Sequence, residues 1–544
     1  MDTISIVLIL LFAVVVSGSL VRMLPFAVPL PLVQIALGAA LTAVADVGVT
    51  LHPDIFFLLF IPPLLFIDGW RIPNEALFQD IGFILELALG LVVLTVLIVG
   101  LLIHWLIPAM PLAVAFAVAA VVSPTDPIAV SAITSRTPIP KRLMHILEGE
   151  SLLNDASGLV CLRFATAAAL TGTFSLVDAS LTFLWLAIGG IAIGVAVTWA
   201  AATGKRWMNQ HYGEEPGGYI LLTLLIPFGA YILAEEMHCS GILAAVSAGV
   251  SMSYFSTWQE ARASTRLRGT AVWDTIQFAA NGIIFVLLGE QLPGIANGAM
   301  ESVRQAGDSN PLWLVVYIVA INLALIALRL GWVWASLTFF LFRAGKRQEA
   351  VARPSWRLVL ATSIAGVRGA ITLAGVLTLP LIMPDGSDFP ARNLAILLAS
   401  GVIILSMVIA SFALPPLLCD LELPPDPSRQ DEEIQARIAA SEAAIRAIRH
   451  RQHQLAEGRE DADFYADVAA RVTDLYRQRI TSRQAVSGEQ PTVVRLEEAE
   501  RQLRLSALRA EREQILRLRR RRQIGEEAAR KLVREIDYIE ARFS

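Results

Sequence analysis

Cysteine is scarce: the 544 residues hold three, Cys161, Cys239 and Cys419, far apart and in apolar surroundings. No pair has the spacing of a metal site, so the chain offers neither a thiolate zinc centre nor a structural disulfide. Charge is scarce too, at 17% of residues, against roughly a quarter in an ordinary soluble chain. With 55% hydrophobic residues and a mean hydropathy of +0.59, this excludes a soluble enzyme, a disordered chain and a collagen-like repeat. The first apolar run lacks the marks of a secretory signal. No Lys or Arg precedes it, Asp2 does, and no small-x-small cleavage pattern follows, so it reads as a membrane span.

The shortage of charge is confined to one part of the chain. The first 421 residues carry 45 charged side chains, about 11%, and the last 123 carry 47, about 38%. This reads as a membrane domain over 1–421 and a charged, helical cytoplasmic domain over 422–544, divided at Leu423-Pro424-Pro425-Asp426-Pro427. A span takes about 20 mostly apolar residues. Thirteen segments qualify, near 3–21, 29–48, 54–70, 81–107, 111–135, 144–170, 180–203, 217–235, 239–256, 272–291, 311–342, 357–383 and 393–420. With the N-terminus outside, the inward loops collect fifteen basic residues, among them Arg22, Arg71, Arg136, Arg262 and Arg353, and the outward loops two, Arg304 and Arg392. That bias is the positive-inside pattern, and it places the tail in the cytoplasm.

Charges at bilayer depth are costly and occur where they have a partner or a task. Here they gather in three spans. The fifth holds Ser123-Pro124-Thr125-Asp126-Pro127, the sixth Glu148-Gly149-Glu150-Ser151-Leu152-Leu153-Asn154-Asp155, and the twelfth Gly366-Val367-Arg368-Gly369. Pro124 and Pro127 remove two backbone donors and break the fifth helix. A simple kink would leave Asp126 in lipid without purpose. An unwound stretch facing a water-filled cavity accounts for it, because irregular backbone at that depth needs such a place. The twelfth span has a milder break between its glycines. Spans five and twelve are seven apart, an odd number, so they run in opposite directions. That is the trace of an inverted repeat whose broken helices cross at the midplane. Half-helix N-termini would bring positive dipole ends to the crossing, with Asp126 to balance them.

Ser151 and Asp155 are four apart and share a helix face, whereas Glu150, five from Asp155, points about 140° away. Asp155 is therefore expected to face the cavity, and Glu150 to pair with Arg368 across helices. Asp155, Asp126, Ser151 and the Thr125 carbonyl form a set of hard oxygen ligands suited to a small cation such as Na+. A carboxylate that takes either a proton or a cation, one at a time, is sufficient for antiport. The plainer reading is that Asn154 and Asp155 merely knit helices together. Arg329, inside a long span, reads as snorkelling toward an interface. Gln277 and Asn281, four apart, read as helix–helix glue.

These motifs resemble those of the sodium/proton exchanger family, in its NhaP-like branch: Pro-Thr-Asp-Pro at 124–127, Gly-Glu-Ser-Leu-Leu-Asn-Asp at 149–155, Gly-Val-Arg-Gly at 366–369, and Ile61-Pro62-Pro63-Leu64-Leu65-Phe66 in span three. The resemblance covers the whole membrane domain. It implies an all-α fold of about thirteen transmembrane helices, NhaA-like, with an inverted repeat and two interrupted crossing helices. It also implies a homodimer in the lipid bilayer of the cytoplasmic (inner) membrane, elevator-like alternating access, and no cofactor. In the residues that match, Asp155 binds the ion and the proton, Thr125, Asp126, Ser151 and Asn154 complete the site, and Glu150 and Arg368 form an ion pair. An Asn-Asp pair goes with one-for-one electroneutral exchange. At one place the chain departs from the pattern. The family often has an acid directly after Pro-Pro-Leu-Leu-Phe, where this chain has Ile67 and then Asp68. One residue turns a helical side chain by about 100°, which leaves Asp68 an auxiliary role.

In the tail, 431–456 and 492–541 read as helix, with Leu496, Ala499, Leu503 and Ala507 at helical spacing and a basic run from Arg517 to Arg522. The tail's charges nearly cancel and no base-reading motif appears, so nucleic acid is not an expected partner. The competing functions are a K+/H+ or Li+/H+ antiporter of the same fold, a proton-coupled symporter of a small organic solute, and a membrane receptor with a signalling tail. A symporter calls for aromatic or hydrogen-bonding groups around a larger cavity, and a receptor leaves Asp126, Asp155 and Arg368 unexplained.

Overall fold

The computed structural model describes residues 3–23, 28–44, 53–72, 81–133, 141–172, 176–213, 215–255, 263–305, 312–346, 355–419, 427–456, 462–484 and 490–540. Arg136, Arg262 and Arg353 of the loop-charge count, and the border from Leu423 to Asp426, lie outside these. The chain forms two compact units, 1–422 and 423–544. Among the described residues every regular element is a helix, and a single antiparallel bridge joins Ile382 to Asp388.

The first unit contains α1 (Thr3–Met23), α2 (Leu30–Val44), α3 (Pro53–Arg71), α4 (Ile81–Leu106, with a π-turn at Glu86–Leu91), α5 (Leu112–Val122), α6 (Pro127–Ile133) and α7 (Lys141–Thr171). It continues with α8 (Leu176–Tyr212), α9 (Pro216–Glu236), α10 (Gly241–Tyr254), α11 (Ala263–Gln305) and α12 (Leu312–Lys346). It ends with α13 (Trp356–Ile364), α14 (Ala370–Leu377) and α15 (Arg392–Leu418). Seven stretches are long and apolar enough to cross a bilayer: Ser5–Met23, Ile81–Leu106, Leu184–Tyr212, Pro216–Glu236, Ser264–Ile295, Leu312–Ser336 and Arg392–Leu418. The remaining helices are short, interrupted, or carry the polar residues of the site. Both interruptions fall where the sequence places them: α5 stops at Val122 and α6 starts at Pro127, and α13 stops at Ile364 and α14 starts at Ala370.

Two groups of helices make up this unit. In one, α2 packs along α11, and α10 packs against α3, α8 and α9. In the other, α5 packs against α4 and α7, and α15 against α12, α13 and α14. The groups meet through α11 and α15 and around α3, α7 and α14. α5 lies deep in the second group. Almost all of Val114 to Val122 is buried, as expected of a helix that is apolar all round.

Small residues decide how closely the helices approach. A Cβ on Gly289 of α11 would overlap the Ile35 carbonyl of α2, and one on Gly38 of α2 would overlap the Val286 carbonyl of α11. Between lipid-embedded helices, close backbone contact of this kind replaces the hydrophobic drive that operates in water. α11, at 43 residues, is far longer than the span expected at 272–291. Apolarity marks the part in hydrocarbon, whereas the helix continues beyond it at both ends, through Pro293 on one side.

The second unit contains α16 (Pro427–Ala456), α17 (Ala462–Gln484), α18 (Gln490–Arg520) and α19 (Glu526–Glu540). The single helix expected over 492–541 is broken. Arg522 is left-handed (φ 57°), Gln523 N–H donates to Leu518 O at 3.0 Å, and Arg522 N–H donates to Arg519 O at 2.9 Å. These bonds form a Schellman stop, and α19 begins four residues after Arg522. Arg512 of α18 then donates to Asp537 (2.7 Å) and to Glu540 of α19.

The close approach of α2 and α11 generates a stability test. Gly289→Val should cost about 1–3 kcal/mol, as overpacking does, and lower the thermal midpoint of the detergent-purified protein. Gly294→Ala lies on the same helix with nothing within 4 Å of the added Cβ, and should leave the midpoint unchanged or slightly higher.

Candidate functional site

The two broken helices meet at their breaks. Asp126 N–H donates to the Val367 carbonyl at 2.7 Å, so one unwound stretch bonds directly to the other. Gly369 is needed at the contact, because a Cβ there would fall on the Asp126 carboxylate. Asp126 also caps α6, accepting from Ala129 N–H at 3.3 Å. A carboxylate thus sits where two helices begin and backbone N–H groups lack intrahelical partners.

The opposite ends are covered by cations. Arg368 donates through Nε to the Val122 carbonyl at 2.8 Å and through Nη1 to the Gly366 carbonyl, and its backbone N–H donates to Ser406 Oγ at 3.2 Å. Val122 is the last residue of α5, so Arg368 caps the first half of the other broken helix. Arg329 does the same for α13, donating from Nε to the Thr362 carbonyl at 3.0 Å.

The expected ion pair is corrected here. Both oxygens of Glu150 are held by Arg329, through Nη1 at 2.5 Å and Nη2 at 2.6 Å, and Arg368 is taken up by backbone carbonyls. Arg329 does not snorkel: it is 2% exposed and Glu150 1%. The misreading has a physical reason. Arg329 lies within the apolar stretch Leu312–Ser336, closer to its Ser336 end, but its side chain turns inward to Glu150 and the Thr362 carbonyl and not along the helix to an interface. Which way such a side chain turns is set by the helices packed around it. Of the two glycines flanking Arg368, Gly366 makes room for the Arg329 and Arg368 side chains, and Gly369 for Asp126.

The buried chain of contacts continues from Glu150. Thr125 Oγ1 lies 3.5 Å from Glu150 Oε1 and accepts from Asn154 Nδ2 at 3.0 Å. Asn154 is thereby a tether between α7 and the α5–α6 break. It lies behind the cavity wall, and its amide oxygen is buried without a hydrogen-bond partner among the described residues.

Asp155, Asp126, Thr125 and Ser151 surround one small chamber of about 30 Å³, together with Asp68, Asn281, Gly369 and Thr372. That is space for a bare ion or about two waters. Asp68, Ser151, Asp155 and Asn281 also line a second, wider cavity of about 370 Å³, which includes Glu148, Arg71, Asp274 and Gln277. These shared residues form the neck between vestibule and chamber. Met144, Glu148, Ser151 and Asp155 form one stripe along α7, so Glu148 belongs to the path, although the sequence reading gave it no role. Asp68 reaches the neck despite its one-residue displacement, and Ile67 turns into the core at 3% exposure. Asp155 is 4% exposed, and among the described residues no ion pair or hydrogen bond holds its side chain.

Four further polar contacts lie around the chamber and beyond it. Arg71 donates to Gln277 Oε1 at 2.7 Å and to Asp274, and Gln277 Nε2 donates to Asp68 Oδ1 at 3.1 Å. Arg163, two helical turns beyond Asp155 on α7, pairs with Glu235 of α9 at 2.9 Å and thereby links the two helix groups.

The model of the family described as sodium/hydrogen exchanger, transmembrane, matches residues 7–419. An uncharacterized Na+/H+ exchanger of Escherichia coli, YjcE, is 41% identical over 544 residues, 98% of either chain. A sodium, potassium, lithium and rubidium/H+ antiporter of Bacillus pumilus is 36% identical over 99% of this chain and 78% of its own. In three dimensions, the sodium proton antiporter MjNhaP1 of Methanocaldococcus jannaschii matches with a TM-score of 0.55 at 18% identity, covering 77% of this chain and 98% of that one. At that identity the likeness is one of fold.

A double-mutant cycle distinguishes the two arginines. Glu150→Gln and Arg329→Met should each cost about 3–5 kcal/mol, because each strands a buried charge, and the double variant should regain part of the loss. Glu150→Gln combined with Arg368→Met should show no such recovery. Thermal unfolding of the purified variants reads all five proteins, and a larger coupling to Arg368 would reverse the assignment.

Proposed function

The chain belongs to the sodium/hydrogen exchanger family, and on that premise we propose that it exchanges Na+ for H+ across the cytoplasmic membrane, with Asp155 as the shared site. It is a multi-pass, all-helical membrane transporter and works as a cation/proton exchanger. The observation that carries the assignment to Asp155 is its place at the neck: a buried carboxylate, with no described partner, lining both the small chamber and the wider cavity. Asp126, Thr125 and Ser151 supply the remaining oxygens. A cation bound there displaces the proton, and a proton displaces the cation. Counting each broken pair as one crossing, the described helices of the first unit support a reading of thirteen crossings. With the N-terminus outside, α7 enters from the cytoplasm, and the vestibule past Glu148 and Arg71 opens inward. The 423–544 unit then lies in the cytoplasm. The resemblance extends the reading to a homodimer.

One committed carboxylate per cycle gives one H+ for one monovalent cation. Asn154 carries no charge, and Asp126 is occupied at the start of α6. The relative from Bacillus pumilus is named for Na+, K+, Li+ and Rb+, so K+ is the first alternative substrate. The small chamber argues against a solute symporter.

Everted vesicles with a ΔpH-sensitive dye test the reading directly. Chloride salts of Na+, K+ and Li+ are added in turn. Na+ should collapse the gradient in wild type, and Asp155→Asn, at equal membrane abundance, should match vesicles lacking the protein. Proton flux near wild type in that variant removes Asp155 from its role. A second measurement concerns charge. Proteoliposomes on a solid-supported membrane should give no sustained current after a Na+ jump, since the membrane potential, worth about 2.3 kcal/mol per charge per 100 mV, has no net charge to act on. A sustained current would point to a second titrating carboxylate.

A further inference from the structure

The relay Asp274–Arg71–Gln277–Asp68 lies in the vestibule and has no part in the exchange described so far. Its members come in two pairs, each three residues apart on one helix: Asp68 and Arg71 on α3, Asp274 and Gln277 on α11. The order of donors and acceptors along it is fixed. A guanidinium only donates, so Arg71 requires the oxygen of the Gln277 amide, and the amide's NH2 group is left to face Asp68. The observed bonds run this way, Arg71 to Gln277 Oε1 and Gln277 Nε2 to Asp68 Oδ1. Asp274 accepts from the other arm of the same guanidinium, holding it in the fork. One amide therefore cannot flip while Arg71 is in place.

We propose that Arg71 and Gln277 are positioning residues for cation capture, acting through Asp68. Gln277 occupies one oxygen of Asp68 and sets the carboxylate in a single orientation, leaving the other oxygen for the neck. Asp68 borders both the vestibule and the chamber, so a cation passing inward meets it beside Asp155. The relay also explains how a cation path tolerates an arginine at its mouth. Asp274 neutralises the guanidinium locally, and the hydrogen-bonding fork turns it toward the wall. With the orientation of Asp68 fixed in advance, binding a cation does not have to order that side chain. The expected signature is in affinity, because turnover belongs to Asp155 and to the movement of the helix groups. This inference rests on the exchange reading given above.

The test is Na+-dependent proton flux in everted vesicles across a range of Na+ concentrations. Gln277→Met keeps length and removes the amide. It should raise the apparent KM for Na+ roughly fivefold, the size of one ordinary net hydrogen bond, with Vmax within about twofold of wild type. Arg71→Lys keeps the charge and loses the fork, so its KM should rise by a smaller factor, roughly twofold. Arg71→Met with Gln277→Met should be no worse than the more affected single variant, because both act through one contact. An unchanged KM in Gln277→Met, or fully additive effects in the double variant, overturns the relay. If Gln277→Met inserts poorly, Arg71→Lys carries the same decision, and a KM equal to wild type there rejects the proposal. A loss of thermal stability with KM unmoved would mark the residues as a helix staple only, and also rejects it. Wild-type vesicles that exchange no cation at all would instead count against the exchange reading.

Discussion

The crossing of two broken helices depends on one requirement: every backbone donor and acceptor freed by unwinding must find a partner inside a medium that has none to offer. Breaking a helix frees carbonyls at the end of its first half and N–H groups at the start of its second. The chain answers by sign. Arg368 and Arg329 take the carbonyls of Val122, Gly366 and Thr362, and Asp126 takes an N–H of α6. The remaining link is backbone to backbone, from Asp126 to Val367. Each charge thus stands at the dipole end of opposite sign. The same arrangement anchors the site, because the residues that close the breaks also wall the chamber or hold the residues that do.

This division separates the charges held at the crossing from Asp155, which no described contact holds. Glu150 is held on both oxygens by Arg329, and through Thr125 it fixes Asn154. Asp155 follows Asn154 in the chain and turns to the chamber instead. The neighbours thus face opposite ways, one tying α7 to the break and one lining the chamber. A buried pair such as Glu150–Arg329 adds little to stability over an apolar pair. Its value here is geometric: it sets α7, and therefore Asp155, against the crossing.

Much of this was legible in the sequence, for reasons of cost. Prolines at 124 and 127 and glycines at 366 and 369 announce helix breaks whatever the surrounding fold, and both breaks fall there. Helical periodicity was enough to separate the faces of Ser151 and Asp155 from that of Glu150. Pairing was not legible. Glu150 had two arginines within its reach, and which one it meets depends on how α12 and α13 pack, a long-range property no local pattern encodes. The same limit applies to Arg71 and Gln277, which are 206 positions apart and meet because α3 packs beside α11. Asp68 was discounted by an angular argument about an ideal helix, in a segment with Pro62 and Pro63 inside it. In the tail, the stop at Arg522 lacked its usual signal, since the left-handed position is occupied by arginine and the glycine comes three residues later.

The two buried arginines differ in what they bind, and this difference governs how the protein can change over evolutionary time. Arg329 faces a side chain as well as the Thr362 carbonyl, so its position and that of Glu150 form a unit of inheritance: either can drift if the other drifts with it, provided that the residue at 329 still donates to that carbonyl. Arg368 faces main-chain carbonyls, which every amino acid supplies alike. Val122 can be replaced, within the space available, without altering what Arg368 recognises, whereas a Cβ at Gly366 would crowd the Arg329 and Arg368 side chains. No substitution elsewhere can compensate for losing it, because no side chain was its partner. Among descendants of this chain, positions 150 and 329 should therefore vary together, and position 368 should either stay arginine or be lost with the crossing itself.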